Sequence, residues 1–460
     1  MKKVGYSIII LWFVLIMSAC SEQTSKNELT KTNESSEDQR VGTKDGDKTK
    51  VVFWHSMGGK LQETLDSIVN KYNQSQNEYE IVAEYQGSYE EALTKLRSVG
   101  GTDDAPAIMQ TFEVGTKYMI DSGFFEPIQT FIDKEDYEMD LLEENIINYY
   151  KVDGKFHSMP FNSSTPVLIY NKDAFTEVGL DENKAPRTYS EIKEAAKKLT
   201  SVNGNVTDRF GFSMLTYGWF FEQLLATQGG LYVDQNNGRS GDAENVLFNG
   251  EEGLRIFNLL NGMNQAGTFG NFGSNWDDIR AAFQSGKVAM YMDSSSGVRN
   301  AIENSPFEVG VGFIPHPDNM EPQGVVIGGA SLWLSKGIDE SIQDGAWNFM
   351  KYLQTPEIQA IWHVETGYFA ITPAAYEEQL VKDEHSKYPQ LKVTVDQLQS
   401  TKSQPATQGA LISVFPESRQ QVVTALENLY QGMAPQEALN QAARGTERAM
   451  EIANRTKNKE

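Results

Sequence analysis

One cysteine in 460 residues, Cys20, excludes an internal disulfide and any zinc or iron–sulfur site built on cysteines. Histidine is nearly as scarce. His55, His157, His316, His363 and His385 stand apart, and none falls in a His-Glu-x-x-His spacing. Positive charge is also short, with 40 Lys and Arg against 63 Asp and Glu and a net charge of −23. Nucleic acid and anionic lipid surfaces both call for basic patches, so neither is expected as a partner. There is no Walker loop, no Gly-x-Gly-x-x-Gly after a strand, and no Gly-x-Ser-x-Gly elbow. Gly329-Ala330-Ser331-Leu332-Trp333 lacks the second glycine. The chain therefore reads as neither a metalloprotein nor an enzyme, and no cofactor is expected. So many acids will pair somewhere by chance, which leaves a glycosidase-like carboxylate pair open.

Long hydrophobic runs are confined to the beginning. Met1-Lys2-Lys3, an apolar run from Ile8 to Ile16 and Met17-Ser18-Ala19-Cys20 form a charged n-region, an h-region and a small-residue cleavage site. Val4 to Ala19 is shorter than the roughly 20 residues that span a bilayer. The Met-Ser-Ala-Cys box resembles the lipobox of bacterial lipoproteins, with Met17 where leucine is usual. That resemblance implies that Cys20 is acylated and becomes the new N-terminus. Residues 21–49 follow with almost no large aliphatic residues, Leu29 and Val41 excepted, and are expected to be a disordered tether. About thirty residues of flexible coil reach about 30 Å.

The remaining residues, 50–460, are enough for two domains with ordinary cores. Lys50 to Trp54 reads as a buried strand, and Leu61, Leu65, Ile68, Val69 and Tyr72 then recur at helical spacing. Tyr79 to Tyr85 alternates as a strand, and Ser88-Tyr89-Glu90-Glu91 is a capping box that opens a helix. Ala105 to Phe112 is another buried strand, with a short helix after it at Thr116–Asp121. A second series starts with a strand at Pro166–Tyr170, a short helix to Val178 and a second capping box at Thr188–Glu191. Further helices are expected at Trp219–Gln228, Gly250–Ala266, Trp276–Ser285, Glu340–Leu353, Pro356–Thr366, Ser418–Gln431 and Pro435–Asn454.

Strands alternating with helices point to an α/β fold with parallel sheets. No linker separates the two series, so two lobes joined by crossover strands are expected, with a ligand cleft between them. The expected division puts residues 50–163 and 300–345 in the first lobe, and 166–295 and 348–460 in the second.

Three polar turns flanked by apolar strands stand out. They are Phe161-Asn162-Ser163-Ser164-Thr165-Pro166, Asp293-Ser294-Ser295-Ser296-Gly297 and Ile327-Gly328-Gly329-Ala330-Ser331. Hydroxyls and exposed backbone N–H groups suit an oxyanion, since they donate without net charge. Each turn, taken alone, also reads as an ordinary cap.

Asn171-Lys172-Asp173-Ala174-Phe175, Pro186-x-Thr188-Tyr189-x-Glu191 and Phe283-x-x-Gly286-x-x-Ala289-Met290 resemble signatures of the extracellular solute-binding proteins of carbohydrate-type ABC importers. The Asn-Ser-Ser-Thr-Pro and Gly-Gly-Ala-Ser-Leu-Trp blocks resemble the branch that binds sn-glycerol-3-phosphate and glycerophosphodiesters. The resemblance covers residues 50–455. It implies a two-lobed periplasmic-binding-protein-like fold of type II, without catalysis, serving ABC permease subunits.

Carried over residue by residue, it implies phosphate contacts from Tyr89 and Tyr368 on opposite lobes. Ser164, Ser295 and the backbone at Gly329 would add neutral donors, Arg419 the full positive charge, and Glu113 an acceptor for glycerol hydroxyls. Trp54 and Trp219 are candidate walls. The branch's Gly-Trp-x-Gly-Trp is here Leu215-Thr216-Tyr217-Gly218-Trp219, so Thr216 stands where an aromatic wall is usual. That opening favours a larger head group over free glycerol-3-phosphate. The expectation is a monomeric receptor, lipid-anchored to the outer face of a bacterial cell membrane. An oligosaccharide receptor and a surface hydrolase of glycerophosphodiesters or glycans are the alternatives.

Overall fold

The computed structural model describes residues 48–457, so Cys20, the signal segment and most of the expected tether lie outside the described residues. The first strand, Thr49–His55, buries Val51, Phe53 and His55 in alternation. The helix Lys60–Ser75 turns Leu65, Ile68, Val69 and Tyr72 inward, one stripe at helical spacing. Both capping boxes form. Ser88 and Glu91 close the helix Tyr89–Val99, and Thr188 and Glu191 close Tyr189–Leu199. Each N-cap contributes on the order of 1 kcal/mol.

Two sheets result. The first runs in the order Tyr79–Tyr85, Thr49–His55, Ile108–Phe112, Gly328–Ser335, Phe125–Glu126, and Met159–Ser164 also pairs with Gly328–Ser335. The second runs Phe269–Gly270, Phe212–Met214, Met290–Ser294, Pro166–Asn171, Val309–Gly312. Strands made by strand–helix–strand units are parallel, as in the pairing of Thr49–His55 with both its neighbours. The sheets are nevertheless mixed. Gly328–Ser335 and Pro166–Asn171 arrive from the other lobe without a helical crossover, and both pair antiparallel.

The division into lobes differs from the sequence reading in two places. Val309–Gly312 belongs to the second sheet, antiparallel to Pro166–Asn171, not to the first lobe. Gly310 permits this: a Cβ there would lie 2.1 Å from the Tyr170 ring. The helix Glu340–Leu353, which the expected boundary cut in two, packs whole on the first lobe, and so does Pro356–Thr366, expected in the second. Gly345 lets the former come down on Val51 and Tyr79, which a Cβ would meet at 2.8 and 2.6 Å.

The chain passes directly between lobes at Thr165, which separates the strands Met159–Ser164 and Pro166–Asn171. Gln397, on the helix Gln390–Gln399, binds the crossings together. Its amide donates to the Pro166 carbonyl at 2.6 Å, and its oxygen accepts from Ile314 N at 2.7 Å. A fully buried side chain with both ends satisfied is a natural pivot.

Candidate functional site

The three polar turns and the Phe415–Tyr430 helix converge between the sheets. Tyr89 is the first residue of its capped helix, and its ring stacks on Phe112 with centroids 5.4 Å apart. Its hydroxyl accepts from Asn162 Nδ2 at 2.9 Å. Tyr368 follows Gly367, which ends the Pro356–Thr366 helix in a left-handed conformation. The Tyr368 ring stacks on Trp362. Its hydroxyl lies in hydrogen-bonding reach of Asn162, Tyr89 and Ser296. Both tyrosines thus belong to the first lobe, against the expectation that they face each other across the cleft. The helix before Tyr368 packs on the first sheet, and that fixes its side. Burial raises both phenols above their ordinary pKa, so they remain neutral donors.

The backbone at Tyr368 is held from behind. His363 Nδ1 lies 2.6 Å from the Tyr368 carbonyl, and a carbonyl can only accept, so Nδ1 carries the proton. Nε2 then accepts from His385 Nε2 at 2.9 Å. Burial lowers the His363 pKa to about 4, which keeps the ring neutral.

Ser164 ends its strand opposite Gly328. Across the crossing, Ser295 N donates to the Thr165 carbonyl at 2.8 Å, and Ser295 Oγ accepts from Thr165 N at 3.3 Å. Gly329 has φ +104°, and a Cβ on it would lie 1.8 Å from the Asn162 carbonyl. Only glycine fits there. Gly328 likewise gives way to Trp219, whose indole would meet a Cβ at 2.7 Å. Among the described residues the buried Trp219 N–H finds no acceptor.

Arg419 is held by two carboxylates. Its Nε and Nη2 donate to Glu222 at 2.7 Å each, and Nη2 also donates to Glu113 at 2.8 Å. Glu113 stands at the end of the Ile108–Phe112 strand in the first lobe, while Glu222 and Arg419 come from second-lobe helices. Side-chain exposure is 6% for Arg419, 7% for Glu113 and 9% for Glu222. Burial opposes the charge on Arg419, but Glu222 and Glu113 outweigh it and hold the guanidinium protonated. For Glu222, burial raises the pKa against the pull of Arg419, and Glu113 adds repulsion.

A second arginine, Arg280, binds Asp293 through Nε and Nη2, both at 2.9 Å. It lies 5.1 Å over Trp276, which packs against Tyr217, Trp219 and Phe220. Thr216 is buried and donates to Asn271 at 3.3 Å, and the aromatic pair beside it is Trp276 and Tyr217. Trp54 is not brought into this group. Its N–H donates to Glu84 on the neighbouring strand, and its ring packs on the core.

Sequence reasoning missed Glu222, Trp276 and Arg280. Glu222 left a trace: it is the one acid in the apolar helix Gly218–Ala226, and a buried charge demands a partner. Trp276 and Arg280 sit on an ordinary amphipathic helix and left none.

A family model for bacterial extracellular solute-binding proteins matches residues 67–393. This chain is a member of that family. Similar relatives include the sn-glycerol-3-phosphate-binding periplasmic protein UgpB of Yersinia pseudotuberculosis, 36% identical over 86% of this chain and 91% of that one. The UgpB of Salmonella typhimurium is 35% identical over the same shares. Among solved structures, UgpB of Mycobacterium tuberculosis in complex with glycerophosphocholine matches with TM-score 0.75. It is 18% identical and covers 88% of this chain and 99% of that one. The sugar-binding protein MalE of Xanthomonas citri matches at TM-score 0.74, 18% identical over 90% and 100%. These structures share the two-lobed fold with the present solute-binding protein. Members of the family act outside the cytoplasm, where they bind small molecules for ABC importers.

Proposed function

We propose that this solute-binding protein captures glycerol-3-phosphate or a glycerophosphodiester and delivers it, chemically unchanged, to an ABC permease. The observation that carries this reading is the 35–36% identity, over 86% of the chain, with relatives named for sn-glycerol-3-phosphate binding. The chemistry between the lobes supports it. Arg419 Nη1, the one terminal nitrogen not on a carboxylate, meets a phosphoryl oxygen in a charge-assisted bond. The hydroxyls of Tyr89, Tyr368, Ser164 and Ser295 and the backbone at Gly329 supply neutral donors. Glu113 accepts from the glycerol hydroxyls, and Trp219 flanks the ligand together with Tyr217 and Trp276. Thr216 stands where the branch has tryptophan, and that difference keeps a phosphodiester head group within the reading.

A ligand on first-lobe Tyr89 and second-lobe Arg419 at once favours the closed arrangement about Thr165 and Gln397. Cys20 carries the lipid, and the receptor works as a tethered monomer at the outer face of the membrane. Without catalytic machinery, it needs only that proximity. The aromatic wall of Trp219 and Trp276 favours an oligosaccharide as the second reading. Titration calorimetry separates the two: heat with glycerol-3-phosphate or a glycerophosphodiester is expected. Heat with maltooligosaccharides alone would overturn the phosphate reading, and product released on long incubation would overturn the receptor reading.

A further inference from the structure

Arg419 is overloaded. One guanidinium serves two carboxylates, all three groups are buried, and their charges sum to −1. Among the described residues its Nη1 has only the Tyr217 hydroxyl, at a long 3.3 Å. The other titratable groups that act on this cluster do not relieve it. From the surrounding elements come the phenols of Tyr149, Tyr150, Tyr217, Tyr232 and Tyr89, all raised by burial and therefore neutral. Glu90 adds a further negative charge near Tyr217. The second cation, Arg239, lies over Tyr149 and is committed to the carbonyls of Tyr149, Gln408 and Gly409.

An anion arriving at Nη1 would bring two carboxylates and a phosphate onto one guanidinium in a low-dielectric site. The Coulomb cost is greatest where water is absent. A proton is the cheapest remedy. We infer that Glu222 takes up one proton from solvent as a phosphate ester docks on Arg419, so that ligand capture is proton-linked. This deepens the reading of Arg419 as the phosphate contact and rests on it.

Glu222 is the better acceptor for geometric reasons. It occupies two guanidinium nitrogens, so protonation leaves one oxygen bonded and releases one N–H to the phosphate. Glu113 offers a single contact to the guanidinium. A cavity of about 20 Å³ lies behind the cluster, lined by Glu113, Tyr149, Glu222, Tyr232 and Asn237. It has room for one water as the proton's last station. Burial and Glu113 already raise the Glu222 carboxyl, the direction that proton uptake requires.

The sign follows. A group whose pKa rises on binding favours the complex at low pH and weakens it as pH climbs through the new value. The test is calorimetry of the purified protein with glycerophosphoglycerol, a phosphodiester that does not titrate near neutrality. The titration is repeated at one pH in buffers of different ionisation enthalpy. The observed heat is expected to vary with about one proton absorbed per ligand, and affinity to fall by up to about tenfold per pH unit. Glu222→Gln is expected to bring the slope to zero and to bind with a flat pH profile. Heat with zero slope in the unaltered protein overturns the inference, and that result stands even if the variant does not fold. Loss of the slope in Glu113→Gln with retention in Glu222→Gln also overturns it. No heat with any phosphate ester overturns both this inference and the ligand reading beneath it.

Discussion

Two arginines of the second lobe, Arg280 and Arg419, differ in the number of carboxylates each serves. Arg280 meets one, Asp293, with two parallel bonds, and the rest of Asp293 is filled by the Tyr291 hydroxyl at 3.0 Å and Ser294 N at 2.6 Å. Asp293 is fully buried and Arg280 is 26% exposed. That pair is balanced in charge, one cation on one acid, and it fixes the turn that presents Ser295 and Ser296. Arg419 serves two acids and spends its Nη1 on a long 3.3 Å bond to the Tyr217 hydroxyl, so its cluster carries a surplus negative charge. A balanced pair holds structure, while an unbalanced one can respond to a ligand.

Breaking the balanced pair has the largest expected effect. Asp293→Ala strands the Arg280 charge and the Tyr291 hydroxyl and is expected to cost about 3–5 kcal/mol in urea unfolding. Arg419→Met strands two carboxylates, yet these can be neutralised by acid. Its destabilisation is expected to be about 3 kcal/mol at pH 8 and to shrink toward pH 5, because Glu222, its carboxyl already raised by burial, takes up a proton in the folded state first. A pH-independent loss would erase the distinction between the two sites. The same variant is expected to lose phosphate-ester affinity by at least about a hundredfold, as removal of one partner in a buried charged contact does.

Smaller changes sharpen the contrast. Glu222→Gln keeps the shape and removes the surplus charge, so stability at pH 7 is expected to move by less than about 1 kcal/mol in either direction. Its phosphate-ester affinity at pH 8 is expected to exceed that of the unaltered protein, measured by calorimetry. Tyr217→Phe removes only the long Nη1 contact and is expected to change unfolding by about 0.5 kcal/mol or less. A large loss there would make Tyr217 a fixed partner of Arg419 and close the position assigned to the phosphate.

Much of this arrangement was legible in the chain. Both capping boxes, the strand Thr49–His55 and the helices Glu340–Leu353 and Pro356–Thr366 follow from local chemistry, and all form. Two helices, Gln379–Lys387 and Gln390–Gln399, gave no warning. The first buries only Val381, and the second spaces Leu391, Val393 and Val395 two apart, a strand's period with β-branched residues. Lobe membership was misread for Val309–Gly312 and for the helices after it, because nothing local says which sheet a segment joins. That error put Tyr368 across the cleft from Tyr89. Glu113 and Arg419 were nameable from motifs, but their direct contact, and Glu222 between the same nitrogens, is a tertiary fact. Charges 197 and 306 residues apart announce no pairing in advance.

The most direct measurement is a crystal structure of the protein with glycerol-3-phosphate. A phosphoryl oxygen about 2.8 Å from Arg419 Nη1, with the Tyr89 and Tyr368 hydroxyls on the same phosphate, is the expected result. A phosphate bound elsewhere, with Arg419 still divided between Glu113 and Glu222 and Nη1 facing Tyr217 alone, would contradict it.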